Sequence, residues 1–360
     1  MPTPPADASP AAAETPGPGP RAWPPVSVVM PVLNEERHLR TAVRHVLEQG
    51  YPGELELVLA LGPSRDRTDA IAAQLAAADP RVRTVRNPTG RTPAGLNAAI
   101  AAAAHDVVVR VDGHGMLGPG YVQRAVELLD ETGADNVGGV MAAEGETPFE
   151  QAVARAMTTW LGVGGARFHT GGEPGPADTV YLGVFRRSTL ERLGGYDESF
   201  QRAQDWELNH RIREAGGLVW FSPDLRVSYR PRPNPEALAR QYFHYGRWRR
   251  VVMRRHAGTV TPRYLAAPAA LVGVAGGTVL GLAVHRAALA LPAGYALAIG
   301  AGSVLTGRGL PPRALAALPV VYATMHMSWG AGFLTSPRRL VPALARVGTV
   351  PPHPPVAREA

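Results

Sequence analysis

The chain has 360 residues, carries a formal net charge of +7, is 45% hydrophobic and only 6% aromatic, and contains no cysteine. Disulfides, thiolate metal sites and cysteine nucleophiles are therefore excluded, which fits a reducing compartment, and the core must come chiefly from Ala, Val and Leu. The length accommodates one large catalytic domain with an appendage.

Residues 1–24 are rich in Pro, Ala and Gly and read as a disordered tail. They lack the basic start and continuous apolar core of a secretory signal. Val26 to Pro31 is a short apolar run suited to a buried parallel strand. Asn34 is placed to cap the helix that follows, expected over Glu35 to about Gln49, with Glu35 and Glu36 favouring its N-terminal dipole. Further elements are expected as a strand over Leu55–Leu61, a helix over Ser64–Ala78, a strand over Val82–Val85, a helix over Thr92–Ala104 and a strand over Asp106–Asp112. Alternating strands and helices predict an α/β domain with a mostly parallel sheet. In such sheets ligands bind beyond the carboxyl ends of the strands, here just after Pro31, Leu61 and Val111. A dehydrogenase would share this architecture, but no Gly-x-Gly-x-x-Gly follows the first strand.

Asp112-Gly113-His114 closes the fourth strand. Side chains at i and i+2 of an extended backbone face the same way, so Asp112 and His114 can reach one divalent cation, with Gly113 admitting a phosphate. A carboxylate suits Mg²⁺ or Mn²⁺, and the imidazole tilts the choice toward Mn²⁺; the alternative is an ordinary strand-to-loop turn. Leu208 and Ile212 are helically spaced, so a helix is expected to start near Asp205. A carboxylate there suits a general base, with Glu207 as the rival and a plain helix cap as the alternative. Gln241 to Trp248 is an aromatic, basic stretch that serves either as an interfacial anchor or as a site where Arg247 holds a diphosphate and Trp248 stacks on a sugar or acceptor.

The end of the chain changes character. Leu265–Val284 and Ala287–Thr306 are uncharged, and Ala314–Thr335 has only His326 as a possible charge. At about 1.5 Å per residue each run can cross a hydrocarbon layer of about 30 Å. The charge is uneven as well. Residues 1–225 hold 20 Arg and 28 acids, residues 226–263 hold 10 Arg and Glu236 alone, and residues 264–360 hold 7 Arg and Glu359 alone. Positive charge concentrated just before and within the apolar region suits anionic lipid rather than nucleic acid. Arg247 to Arg255 and Arg263 place the start of the first span on the cytosolic side. Arg338, Arg339 and Arg346 also argue for the inside, so two full spans compete with three.

Several stretches together carry a resemblance. They are Val28 to Glu36, Ser64 to Thr68, Asn87-Pro88, Thr92 to Asn97, Arg110 to His114, Gly194 to Glu198, Gln204-Asp205, and Tyr229 to Arg232 with Gln241 to Trp248. In this order and spacing the chain resembles family 2 glycosyltransferases of the GT-A fold, and within them the membrane-attached transferases of the succinoglycan-biosynthesis type, over roughly Val26 to Thr335. The resemblance implies a catalytic domain over residues 25–235, a basic amphipathic interfacial segment over 236–263, two or three spans over 264–336 and a tail over 337–360. It implies inverting transfer from a nucleotide-diphosphate sugar to an acceptor hydroxyl. Asp205 would be the base, Asp112 and His114 would hold Mn²⁺ or Mg²⁺, and Pro31, Asn34, Glu35, Asp66, Asn97, Asp112, Gln241, Arg247 and Trp248 would line the substrate sites. The implied acceptor is a lipid-linked saccharide, and the implied setting is a multi-pass membrane protein with its catalytic domain facing the cytoplasm. A polyprenyl-phosphate sugar synthase and a non-catalytic membrane scaffold are the alternatives. Two departures stand out. The family acid that reads the base is replaced at the second strand end by Leu61-Gly62-Pro63-Ser64, leaving Asp66 or backbone groups to do this, and His114 stands where a second acid is usual.

Overall fold

The computed structural model describes residues 22–340. The tail expected over 1–24 lies outside them except at its end, and so does most of the tail expected over 337–360. Order begins earlier than Val26: Trp23 packs edge-on against Tyr51 with ring centroids 5.8 Å apart.

The strands are β1 (Val26–Val32), β2 (Leu55–Leu61), β3 (Val82–Arg86), β4 (Val107–Arg110), β5 (Met116–Leu117), β6 (Asn136–Ala143), β7 (Gly175–Pro176), β8 (Tyr181–Arg186) and β9 (Val219–Tyr229). They form one mixed, mostly parallel sheet ordered β3-β2-β1-β4-β8-β6-β9-β5, with β7 on β9. β8 is antiparallel to both its neighbours β4 and β6, while β3, β2, β1 and β4 run parallel.

Both faces of β1 are buried, which is why it reads as an unbroken apolar run. Val26, Val28, Met30 and Val32 join Leu39, Val43 and Val46 of the helix Leu39–Leu47 on one side. Val29 meets Leu96, Ala99 and Ile100 of the helix Thr92–Ala102 on the other, in a layer that also holds Leu208 and Ile212. This second layer seats the helix Gln204–Glu214, and with it Asp205, against the sheet.

The basic segment forms the long helix Pro235–Arg255. It is not a free interfacial strip. Leu238 and Tyr242 share a buried cluster with Leu318, Val321, Tyr322 and Met325 of the helix Pro312–Leu334, and with Val153 and Met157 of the helix Pro148–Met157. The third apolar run is thus covered largely by protein. The two helices long and apolar enough to cross a membrane among the described residues are Pro262–Ala283 and Arg286–Thr306. Leu282, Leu297, Val304 and Leu305 on them are exposed.

Gly246 and Gly332 allow the helices Pro235–Arg255 and Pro312–Leu334 to touch backbone to backbone. A Cβ at Gly246 would overlap the Trp329 carbonyl oxygen, and one at Gly332 would overlap that of Phe243. Gly246→Val is therefore expected to cost about 2–3 kcal/mol or more, because backbone cannot yield as a side-chain tip does. Thermal unfolding in detergent checks this, and an unchanged midpoint would contradict the packing.

Candidate active site

The loops after β1, β2 and β4 meet the start of the helix Gln204–Glu214 at the carboxyl edge of the sheet. The first two loops are laced together. Asn34 adopts a left-handed φ of 56°. Its Oδ1 accepts from the Arg65 amide at 2.8 Å, and its own amide donates to Ser64 Oγ at 3.1 Å. Asn34 is thus a staple between loops and not the helix cap expected of it. The helix starts only at Leu39, after a turn in which the Glu35 amide donates to Thr68 Oγ1 at 2.8 Å. The second helix likewise starts late, at Thr68. Asp66 Oδ1 accepts from the Thr68 amide and hydroxyl at its start, and Oδ2 accepts from the Glu36 amide at 3.2 Å. Both carboxylate oxygens of Asp66 are thereby engaged by protein. Pro31 remains in β1, opposite Ala60 of β2.

β4 ends at Arg110, so Asp112 and His114 do not share the face of an extended strand as expected. They belong to a turn closed by the Gly115 amide on the Asp112 carbonyl at 2.8 Å. They are nonetheless neighbours of one cluster. His114 Nδ1 lies 2.8 Å from Glu35 Oε1, and a Cβ on Gly113 would meet Glu35 Cγ at 2.9 Å. The hydrogen bond to Glu35 raises the His114 pKa against the opposing effect of burial, with Asp112 adding to the rise and Arg232 opposing it.

Arg110 is the residue that the motif reading passed over. It is 2% exposed. Its Nε and Nη2 donate to Asp112 Oδ1 at 3.2 and 3.1 Å, Nη1 is ion-paired with Asp205 Oδ1, and the guanidinium carbon lies 5.6 Å from the centre of the Tyr196 ring. Burial opposes its charge, but Asp112 and Tyr196 outweigh that and its pKa is raised. One guanidinium therefore joins two carboxylates that are far apart in sequence.

Asp205 stands in the first turn of its helix behind Ala203, whose φ is 62°. Its rival Glu207 points into the protein. Glu207 is 2% exposed and receives a two-pronged hydrogen bond from Arg211, 2.8 Å on each oxygen, with His256 Nε2 3.5 Å away. Burial alone would raise the Glu207 pKa, but His256 and Arg211 lower it. The same Arg211 donates to the carbonyls of Leu193 and Gly195, holding the Gly194–Glu198 loop. Asn97 clamps that loop from the other side: Nδ2 donates to the Tyr196 carbonyl at 2.8 Å, and Oδ1 accepts from the Tyr196 amide at 2.8 Å. The Asn97 side-chain groups are spent on protein.

Gln241 reaches the site from the long helix. Nε2 donates to the hydroxyls of Tyr229 and Tyr245 at 2.8 and 2.7 Å, and Oε1 accepts from Arg232 Nε at 3.3 Å. The Arg247 guanidinium lies 4.7 Å from the Phe243 ring centre. Trp248 is 5% exposed and packs with Phe200, Trp206, Val251 and Val252. The expected stacking of Trp248 on a sugar is corrected by this burial, because its ring faces are taken up by protein.

Against this geometry stand the relatives. A profile described as Glycosyl transferase family 2 matches residues 27–194. The succinoglycan biosynthesis protein ExoA of Rhizobium meliloti (strain 1021) is 33% identical over 309 residues, 85% of this chain and 93% of its own length. The chain belongs to glycosyltransferase family 2. A second relative is 21% identical over 239 residues, covering 64% of this chain and 74% of its own. It is a dolichyl N-acetyl-alpha-D-glucosaminyl phosphate 3-beta-D-2,3-diacetamido-2,3-dideoxy-beta-D-glucuronosyltransferase of Methanococcus voltae. Among solved structures, the mannosyltransferase PcManGT of Pyrobaculum calidifontis, in complex with GDP-Man and Mn²⁺, superposes with a TM-score of 0.60. It is 21% identical, with 89% of both chains covered. This likeness establishes the GT-A fold.

The donor set of this family 2 chain fits a divalent cation. Arg110 engages Oδ1 of Asp112 and Glu35 takes Nδ1 of His114, and among the described residues no hydrogen bond is made to Asp112 Oδ2 or His114 Nε2. No group of three or more His, Asp or Glu side chains suited to a metal occurs among the described residues. A cation here would be completed by phosphate oxygens and water, the usual habit of Mg²⁺ at phosphates.

Proposed function

We propose that the protein is an inverting glycosyltransferase that moves a sugar from a nucleotide-diphosphate donor to a hydroxyl of a lipid-linked saccharide during polysaccharide or glycolipid synthesis. The observation that carries this reading is Arg110, which ties Asp112 and Asp205 to one buried charge. Asp112, with His114, would hold Mn²⁺ or Mg²⁺ against the donor diphosphate. When bound, the cation supplies charge neutralisation to the departing nucleotide. Asp205 takes the proton of the acceptor hydroxyl as its oxygen attacks the anomeric carbon from the side opposite the nucleotide. Arg110 keeps the base in register with the donor end of the site. Gln241, fixed by Tyr229 and Tyr245, and Arg232 border the same space. The mannosyltransferase with GDP-Man and Mn²⁺ supports the donor and cation assignments, and the dolichyl-phosphate-sugar transferase supports a lipid-linked acceptor.

A screen of UDP-, GDP- and dTDP-sugars with Mn²⁺ and product mass spectrometry tests the reading. Transfer is expected to vanish in EDTA and return with Mn²⁺ or Mg²⁺. Donor binding that is identical with and without metal would refute the cation assignment.

The helices Pro262–Ala283 and Arg286–Thr306 are assigned to the membrane, with the catalytic domain on the cytoplasmic side. Arg155 of the helix Pro148–Met157 donates to the carbonyls of Thr306 and Arg308 at 2.7 and 3.0 Å. The hairpin therefore returns to the domain it leaves, which favours two crossings. Full-length protein is expected to stay with membranes through a carbonate wash. Its release into the supernatant would overturn the assignment.

A further inference from the structure

The second half of the helix Pro235–Arg255 and the start of the helix Pro262–Ala283 bring arginines together without acids. The Arg249 guanidinium lies between two rings, 4.7 Å from the centre of Trp206 and 4.2 Å from that of Tyr264. Its Nη1 is buried and has no hydrogen-bond partner among the described residues. Arg263 lies 4.7 Å from the same Tyr264 ring and donates to the Tyr264 hydroxyl at 2.6 Å. Neither arginine is ion-paired among the described residues. The acid whose charge reaches Arg249, Asp178, sits 3.7 Å from Arg213. Two guanidinium groups near one ring repel each other, and an anion between them would relieve that repulsion.

Position gives the cluster its meaning. Trp206, the lower ring of the sandwich, follows Asp205 directly in the same helix. Tyr264 and Arg263 open the helix assigned above as the first membrane crossing. A flat guanidinium held between aromatic rings presents its N–H fork in a fixed direction, which suits the oxygens of a phosphate.

We propose that Arg249 and Arg263 form the binding site for the phosphate or diphosphate of a prenyl-linked acceptor. The prenyl chain lies along the helix Pro262–Ala283 and the sugar end reaches Asp205. This rests on the reading of the protein as a transferase to a lipid-linked saccharide, and it adds where the lipid phosphate is held. Trp206 then does two things: it carries the sandwich that orients Arg249, and it couples the anion site to the turn that bears the base.

The test is equilibrium binding of radiolabelled geranylgeranyl diphosphate to full-length protein in phosphatidylcholine nanodiscs. Saturable binding is expected. It should weaken by about tenfold or more in Arg249→Gln and in Arg263→Gln, the loss of one charge-assisted pair. Arg249→Lys, which keeps charge but not the fork, should fall between. Unchanged binding in Arg249→Gln and Arg263→Gln would overturn the proposal. So would displacement of the probe by an equal concentration of inorganic pyrophosphate, which would make this a soluble-anion site. Displacement by phosphatidylglycerol at the same concentration would make it a bulk headgroup contact and would overturn it too. If Arg249→Gln fails to fold, the exposed Arg263→Gln decides alone. UDP, GDP and dTDP binding to the wild type with Mn²⁺ separates the two readings. Nucleotide binding without prenyl diphosphate binding sinks the anion site, and prenyl diphosphate binding with no binding of UDP, GDP or dTDP sinks the transferase assignment while leaving the site standing.

Discussion

Asp205→Asn is expected to lower turnover by about 10²–10⁴-fold, the range for loss of a general base, with donor affinity little changed. The amide keeps an oxygen that Arg110 can hold and keeps the shape of the side chain, so the first turn of the helix Gln204–Glu214 should form as before. What is lost is the capacity to take a proton. Glu207 cannot step in. Both of its oxygens are held by Arg211, and its burial keeps an acceptor hydroxyl away. Glu207→Gln should therefore act differently, by loosening Arg211 and with it the loop through Leu193 and Gly195, so that it lowers the melting temperature as well as activity. Steady-state kinetics with donor and acceptor varied separately, alongside donor titration of each variant, distinguish these outcomes. Near-normal turnover in Asp205→Asn with an inactive but stably folded Glu207→Gln would reverse the two roles.

The first half of the sheet was legible because β1, β2 and β4 are buried on both faces and β1, β2 and β3 are each followed by a helix. Leu55–Leu61 has the expected bounds, and β1 extends the expected run by a single residue, Val32. The second half carries no such signal. β6 contains Gly138-Gly139, and its pairings with both β8 and β9 shift register there, while β9 contains Ser222-Pro223-Asp224 in its middle. Short or bulged strands of this kind show neither an unbroken apolar run nor clean alternation. The capping box Thr147-Pro148-Phe149-Glu150 was readable and was missed; it starts the helix Pro148–Met157, which supports the third apolar run. In the candidate site, Asp112, His114 and Asp205 drew notice in the sequence because the first two follow a strand and the third opens a helix. Asn34 was misread because a cap and a loop staple call for the same residue type. Arg110 could not be found by motif, since its value lies in a partner that only the fold brings near. Trp248 was misjudged for a related reason: an amphipathic stretch does not reveal whether protein or ligand covers its apolar face.

Arg110→Met carries the other large expected effect. Methionine fills much of the same buried volume but removes the charge between Asp112 and Asp205. Two carboxylates would then face each other without a counter-charge. Removing one partner of a buried ion pair costs about 3–5 kcal/mol. Here Asp112 and Asp205 are 24% and 26% exposed and can gain water, so a destabilisation of about 2–3 kcal/mol is expected once that relief is allowed for. The catalytic consequence should be larger than the loss of stability. Asp112 Oδ1, released from Nε and Nη2, becomes a better ligand, so the Mn²⁺ concentration for half-maximal activity should fall. Asp205, released from Nη1, loses its fixed direction toward the acceptor, and kcat should drop by about 10²-fold, because small misplacements of a catalytic group cost that much. The two effects have opposite signs, which separates this arrangement from simple unfolding, where metal affinity and turnover would fall together. Arg110→Lys restores charge without the fork and should recover stability more fully than kcat. A variant Arg110→Met with unchanged kcat would show that Asp205 needs no such tether, and one with weakened Mn²⁺ dependence would show that Arg110 supports the cation site instead of competing for it.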